Sequence, residues 1–510
     1  MRRSPLLVTG ALLPLGLAFI AWQVALSRAA TPDDGWVPSP SAVTVTFLDH
    51  SERQLNRHGQ ITGEFQAGRL DVLSNGDYTI QDLEQGVWQR GENELLFRAD
   101  NARLEAISHD LALSGKVVAR GAAGLTLRAP AAFYFQSEDK LFVPELEQLD
   151  WPGPPQPDGS PATGPAVIIR SQRLFLWPGQ GRLNLPDPLT AIRGEDQLVA
   201  EAASALAAKG QIALLGPATL TAKLAGDAGP RPLLLTSDTG GQITYNTTSG
   251  AATMAGGMAA QLPTDGVRLT AATATYSGHH TRTLELSGRV GLNDPSGSLT
   301  AERGRVTLAN QRAAFSGNVT FDHVGESGPL SLRAHQVIYD YAPSARRAAA
   351  RGDVALSTNE ADATAPSLSV NLHAETAALT GGVHLRTKPG ALGAPASGDA
   401  VDQALATPVD VYAQAIDHSY RRGARWMRAR GRVRYAQVDS SGRGDREGSS
   451  DHLRLDQEQQ VLVLEGNVNF RNQAGERARC GKLTYNLRAG TMLIERPISA
   501  ELHLSDEDLD

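Results

Sequence analysis

The sequence predicts an all-β protein, an elongated, twisted, open β-jelly roll of repeated short antiparallel strands that follows one N-terminal transmembrane or signal helix. Three observations predict it. Apolar residues alternate with polar ones in short runs, at Val306 and Leu308, Val319 and Phe321, Leu330 and Leu332, and Val337 and Tyr339. A period of two marks a strand, because successive side chains leave it on opposite faces. A unit then recurs in which Gly, a polar residue and Val follow an apolar run: LSGRVGL from Leu286, FSGNVTF from Phe315, ARGDVAL from Ala350, LTGGVHL from Leu379, ARGRVRY from Ala429 and LEGNVNF from Leu464. Earlier, weaker copies are LSGKVVA from Leu113 and AKGQIAL from Ala208. Gly288, Gly317, Gly352 and Gly381 fall 29 or 35 residues apart, a period that argues for stacked units, none able to bury its apolar face alone. Finally, 51 Gly and 28 Pro in 510 residues supply turns, while 41% hydrophobic and 20% charged residues describe a chain that folds.

The elements run in order as follows. Residues 1–30 form a membrane anchor or signal segment: Arg2 and Arg3 precede a mostly apolar stretch from Pro5 to Leu26, long enough to span a bilayer at about 20 residues, and Ala25 with Ser27 permits cleavage. Residues 31–42 are a linker. An N-terminal β lobe spans 43–150, and the segment 151–166 carries six prolines, which excludes a central strand. β repeats occupy 167–386. Within them 196–209 reads as helix or strand, with strand preferred, and Ala251 to Ala260 has no clear pattern. A low-complexity insertion at 387–408 interrupts the repeat, a C-terminal β lobe spans 409–505, and 506–510 is an acidic tail.

The net charge of −7 gives no support to nucleic-acid binding, which wants a broad basic stripe. One cysteine, Cys480, excludes an intramolecular disulfide and reads as a small buried residue. Twelve histidines form no metal-ligand spacing, and no nucleophile motif or phosphate loop is present. The sequence therefore predicts a protein that is not an enzyme, with no catalytic residues, metal or cofactor.

LTAATATY before LELSGRVGL, LRAHQVIY before ARGDVAL, and ARCGKLTY after LEGNVNF resemble the OstA/LptA-type repeat of periplasmic lipopolysaccharide transport proteins. The single N-terminal apolar segment resembles the membrane-anchored LptC member, although 510 residues is far longer. The resemblance implies a periplasmic protein attached to the inner membrane by one helix, or released after signal cleavage. It would carry lipopolysaccharide or a related envelope glycolipid or phospholipid between the inner and outer membranes. The implied partners are an inner-membrane ABC transporter complex and other β-jelly-roll bridge proteins, joined through edge strands such as Met492 to Ile494. The implied lipid groove consists of Val306, Leu308, Val319, Phe321, Leu332, Val337, Tyr339, Val354 and Leu356, with Asn318 and Thr320 facing solvent. Alternation serves a sealed core equally well, and a structural or adhesive envelope protein without lipid cargo is the alternative.

The remaining feature is YRRGARWMRARGRVRY from Tyr420. Arg428, Arg430, Arg432 and Arg434 alternate along one strand, which predicts a face of guanidinium groups suited to phosphate oxygens. Its partner is an anionic headgroup, an anionic membrane surface, or acidic side chains such as Glu465.

Overall fold

The computed structural model describes residues 42–501 apart from 56–60, 91–92, 122–123, 154–164, 225–230, 279–280, 343, 345, 389–407, 439–443, 473–476, 487–488 and 490. The expected N-terminal helix and the acidic tail lie outside the described residues, as does most of the Pro-rich segment and of the low-complexity insertion. Among the described residues no helix is long and apolar enough to cross a membrane.

The described chain is a 33-stranded antiparallel assembly. Six long strands, β1 (Val43–Leu55) to β6 (Thr126–Phe135), pair in chain order. Strands of four to seven residues follow, from β7 (Lys140–Val143) to β18 (Gln242–Asn246), and then long strands again from β19 (Ala252–Leu262) to β33 (Thr491–Glu501). The ladder is continuous between the strands on either side of the Pro-rich segment and of the insertion, since Leu149 pairs with Ile169 and His384 with Tyr412.

The recurring Gly explains the architecture. In FSGNVTF, Gly317 and Asn318 have φ of 80° and 45°, and the same pair of left-handed residues occurs at Gly115–Lys116, Gly288–Arg289, Gly352–Asp353, Gly431–Arg432 and Gly466–Asn467. Glycine adopts this region freely, Asn and Asp tolerate it, and other residues are strained by it. Each pair is a bulge that sets two residues against one on the neighbouring strand: Ser316 pairs with Gln336 and Val319 with Ala334, so Gly317 and Asn318 oppose His335 alone. A bulge bends a strand sharply. The apolar runs on either side of the Gly, expected as separate short strands, are therefore two legs of one long kinked strand, such as β23 (Arg312–Gly325).

The preceding strand clasps most of these kinks. Asn318 donates to Glu302 at 2.9 Å, Asn467 to Asp451 at 2.8 Å, and Asp353 meets His335 at 3.0 Å. Small buried residues sit opposite the Val beyond the kink, namely Ala301, Ala334, Ala365, Ala413, Ser450 and Cys480. The strand bends there and leaves little room. Cys480 is thus a packing residue, and burial pushes its thiol pKa up. AKGQIAL differs from the other copies: Gly210 closes a single 3-10 turn that joins two separate short strands. The preceding segment is strand, Asp196–Ala200 and Ala202–Leu206, as preferred. The unassigned Ala/Gly/Met stretch is β19, kinked at Gly256–Gly257.

Because neighbours are antiparallel, the first leg of one strand pairs with the second leg of the next, residues 312–316 with 336–340 and 319–325 with 328–334, and among the described residues no ladder crosses the kink, which generates two layers. The middle of the chain shows this directly, because β6 pairs with β7 through one leg and with β8 (Gln148–Trp151) through the other. From there two ladders of short strands run separately until both rejoin on β19. The layers face each other: Phe321, on the second leg of β23, lies 5.3 Å from the Tyr339 ring, which belongs to the other layer. Their inward side chains form one contiguous apolar core from Phe65 to Leu483, each large side chain contributing about 1.5–3 kcal/mol. At about 4.8 Å per strand the stack is on the order of 100 Å long.

Candidate functional site

The interior is the first candidate. All nine expected groove residues, Val306, Leu308, Val319, Phe321, Leu332, Val337, Tyr339, Val354 and Leu356, point between the layers and are 0–4% exposed. Asn318 is exposed, and Thr320 lies on the outer face beside Thr300. All nine belong to the contiguous core, and within it the Phe321 and Tyr339 rings are in contact. An apolar cavity of 20 Å³, bordered by Phe65, Leu83, Trp88 and Phe97 among others, lies between the layers near the N-terminal end.

The two long sides of the sandwich are closed by different chemistry. On one side the layers are joined covalently by the kinked strands. On the other, where an open jelly roll was expected, hairpins of the two layers meet in a polar seam. Gln311 donates to Asp265 at 2.9 Å, the Tyr339 hydroxyl to Asp294, and Ser327 to Glu375 at 2.6 Å, while Arg425 pairs with Glu360 at 3.1 Å. In the short-strand region Tyr245 donates to the buried Asp196 at 2.9 Å. Burial, followed by the neighbouring Asp294, pushes the Tyr339 hydroxyl above its ordinary pKa, and burial raises the Glu360 carboxyl. Tyr276 is pushed up to about 12 by burial and the charge of Asp196. The aromatic ending the AxxAxY-like strand is therefore a seam residue as well as a core residue at Tyr339.

Both ends of the stack carry exposed apolar residues. Among the described residues β1 pairs only with β2 (Ile61–Leu73) and leaves Leu48 72% exposed, with Val43, Val45 and Phe47 also exposed. At the other end β33, among the described residues, pairs only with β32 (Arg477–Asn486) and leaves Leu493 59% and Ile498 77% exposed. Met492 and Ile494 cover the end of the core, and Pro497 sits on this edge at a register shift. An edge strand of this kind offers unpaired backbone groups to another strand.

The arginine strand is β29 (Trp426–Val438). Its four named arginines are all exposed, but the kink at Gly431–Arg432 divides them, so they do not form one continuous face. Arg428 and Arg430 lie on one layer, where Arg428 stacks 4.8 Å from the Trp426 ring and Arg430 pairs with Asp417 at 2.8 Å. Glu465 lies two strands beyond β29 in the stack and pairs in the ladder with His452 and Lys482, on the first and third strands beyond β29. Arg432, on the kink, and Arg434 border a groove of 1040 Å³ on the outer face, together with Arg471, Arg477 and Arg479. The last three come from β31 (Val461–Asn472) and β32, which are adjacent in space, and nothing in the local sequence pattern marked them. Among the described residues no three His, Cys, Asp or Glu side chains are placed to hold a metal ion.

The chain matches no family model and no curated protein. Among solved structures it is similar to LptH, the LptA-homologous periplasmic component of the lipopolysaccharide transport device of Pseudomonas aeruginosa. The two share 12% identity, with 34% of this chain and 86% of that one covered and a TM-score of 0.17. At that TM-score the likeness carries neither fold detail nor function across.

Proposed function

We propose that this protein is a periplasmic carrier that bridges the inner and outer membranes and conducts an envelope lipid, lipopolysaccharide or a related glycolipid or phospholipid, along its interior. The observation that carries the reading is the unbroken apolar interior from Phe65 to Leu483, in a stack whose two end strands carry exposed apolar residues and, among the described residues, are paired on one side only. The repeat unit resembles the OstA/LptA type, which supports the same reading. Acyl chains enter by parting the polar seam, where separation costs hydrogen bonds but breaks no strand ladder, and interior burial stabilises them by about 0.8 kcal/mol per CH₂. The partners are an inner-membrane ABC transporter complex at one end and a β-jelly-roll protein at the other, added as a further strand. The N-terminal segment holds the chain to the inner membrane. Recovery in the soluble fraction after alkaline carbonate extraction would replace that anchor with a cleaved signal.

The structural alternative, an envelope β-repeat protein without cargo, is favoured by one observation: Phe321 and Tyr339 already fill the space between the layers. A photocrosslinking residue at position 321 or 320, introduced in cells, separates the two. Lipid adducts at 321 but not at 320 are expected. Equal labelling at both, or none at either, means a sealed core. Mass spectrometry of lipids extracted from the purified chain identifies the cargo.

A further inference from the structure

The outer groove beside the kinks of β29 is built differently from the rest of the surface. Across its strands the outward residues run Tyr412, Arg434, Ser449, Asn469, Arg479 and Ser499, each paired with the next in the ladder. Long cations therefore stand over short polar residues, and this size contrast makes the trough. Arg434 and Arg479 are three strands apart, about 14 Å, too far for one phosphate to bridge. In the adjoining row Arg471 and Arg477 are directly opposite each other, an arrangement of like charges that is destabilising.

The arginines are weakly compensated. Among the described residues five of them and a single carboxylate, Glu447, border the groove. Glu447 stands 3.8 Å from Arg471 with both side chains more than half exposed, and Arg479 donates to the neutral Asn469 amide oxygen at 3.0 Å. Among the described residues Arg432, Arg434 and Arg477 have no acidic partner. On the other layer of the same strands Arg430 pairs with Asp417 at 2.8 Å and Lys482 with Glu495 at 2.7 Å, while Arg428 and the exposed Arg454 stand opposite each other.

At one end of the trough stands an aromatic platform. Tyr412, 46% exposed, stacks on His384 with ring centroids 4.4 Å apart and planes within 3°, and His384 is fixed by Asp410 at 2.8 Å. His384 covers one face of the tyrosine, so the other is turned toward the strand of Arg434. The electron-rich face of an aromatic ring attracts the polarised C–H groups of a sugar, and guanidinium forks bind carboxylate or phosphate oxygens. Ser449, Asn469 and Gln414 add donors and acceptors for hydroxyls.

We infer that this groove binds an acidic oligosaccharide, carboxylated or phosphorylated, with a sugar ring on Tyr412 and at least two of its anionic groups on the arginines. A flat bilayer surface meets only the rims of such a trough, whereas a glycan chain lies along it. The site is on the outer face and does not depend on lipid in the interior.

The test is calorimetric titration of the full-length purified chain with tetragalacturonate, its methyl-esterified form, tripolyphosphate, and phosphatidylglycerol vesicles. Saturable, salt-sensitive binding of tetragalacturonate is expected, with at least tenfold weaker binding of the esterified form. R434Q/R477Q/R479Q should weaken binding at least tenfold, while R428Q/R454Q, at the exposed pair that stands directly opposed on the other layer, leaves it within twofold. Y412A should weaken tetragalacturonate but not tripolyphosphate. All these side chains are exposed, and an unchanged circular dichroism spectrum confirms the fold of each variant. No saturable binding, binding of vesicles alone, or equal losses from the two arginine sets would overturn the site. Insensitivity of tetragalacturonate to Y412A would overturn the sugar assignment.

Discussion

If the left-handed Gly pairs are what divide each strand into two layers, then replacing them should destabilise the stack by amounts set by two separable terms. Gly382, in LTGGVHL, has φ of 97° and nothing within 4 Å of an added Cβ. Gly382→Ala therefore meets only the conformational term, about 1–2 kcal/mol. Gly288, with φ of 74°, would place its Cβ 2.9 Å from that of Ala272. The Ala272 methyl is bonded directly to backbone and cannot swing aside, so Gly288→Ala adds an overpacking term of about 1–3 kcal/mol. A whole-chain melt is a poor readout, because a long repeat array does not unfold in two states. Hydrogen exchange read by mass spectrometry is local. Exchange in β27 (Thr376–Thr387) should quicken about tenfold in Gly382→Ala, at 1.36 kcal/mol per decade, and exchange in β21 (Thr283–Asp294) should quicken by a further decade or more in Gly288→Ala. Adding Ala272→Gly to the second variant should recover most of the extra decade. Equal effects at the two positions, or unchanged protection at either, would refute the account of the kink.

Tyr339→Phe keeps the ring against Phe321 and removes the seam hydrogen bond to Asp294. A loss of about 1.5–3 kcal/mol is expected for a bond to a charged group, read as faster exchange in β24 (Gly328–Asp340); unchanged exchange would mean that the seam holds nothing. His418 is buried, and desolvation pushes its pKa down to about 4 from an ordinary 6.5. Between these values the unfolded segment takes up a proton that the folded one refuses. Protection of β28 (Val409–Ser419) should therefore be flat above pH 6.5 and fall as pH drops toward 4, and His418→Gln should abolish that fall. Leu493→Lys with Ile498→Lys places charge on the exposed β33 edge, so association through this end should drop severalfold while protection of β32 stays within about 0.5 kcal/mol; undiminished association would move the docking edge elsewhere.

What could be read from the sequence follows from how far each interaction reaches along the chain. Alternation is a local signal, so the strands around Val319, Phe321, Val337 and Tyr339 were legible, and so was the buried role of Cys480. The recurring Gly was legible as a unit but not as a kink, because Arg289, Lys116 and Arg432 have no preference for the left-handed region that composition would betray. Only their position after Gly, inside an otherwise continuous strand pattern, carried that signal. The same blindness made the arginines of β29 look like one face, when the kink sends Arg428 and Arg430 to one layer and Arg434 to the other. The seam was illegible for a different reason: Tyr339 and Asp294 are 45 residues apart, Arg425 and Glu360 65, and no local pattern joins them. Yet the seam decides what the interior can do. A sandwich held covalently along one side and by hydrogen bonds and an ion pair along the other has one side that can open without unpairing any rung. Parting it at Tyr339 and Asp294 would bare Phe321 and Tyr339 together, since those rings touch across the layers. Water at the seam replaces each broken polar contact, whereas the exposed apolar faces gain nothing from water, so the open state is stabilised only if an apolar ligand covers them. A transient opening of that kind is invisible as a cavity in the closed form, and this is why buried side chains at the nine interior positions are compatible with a conduit as well as with a filled core.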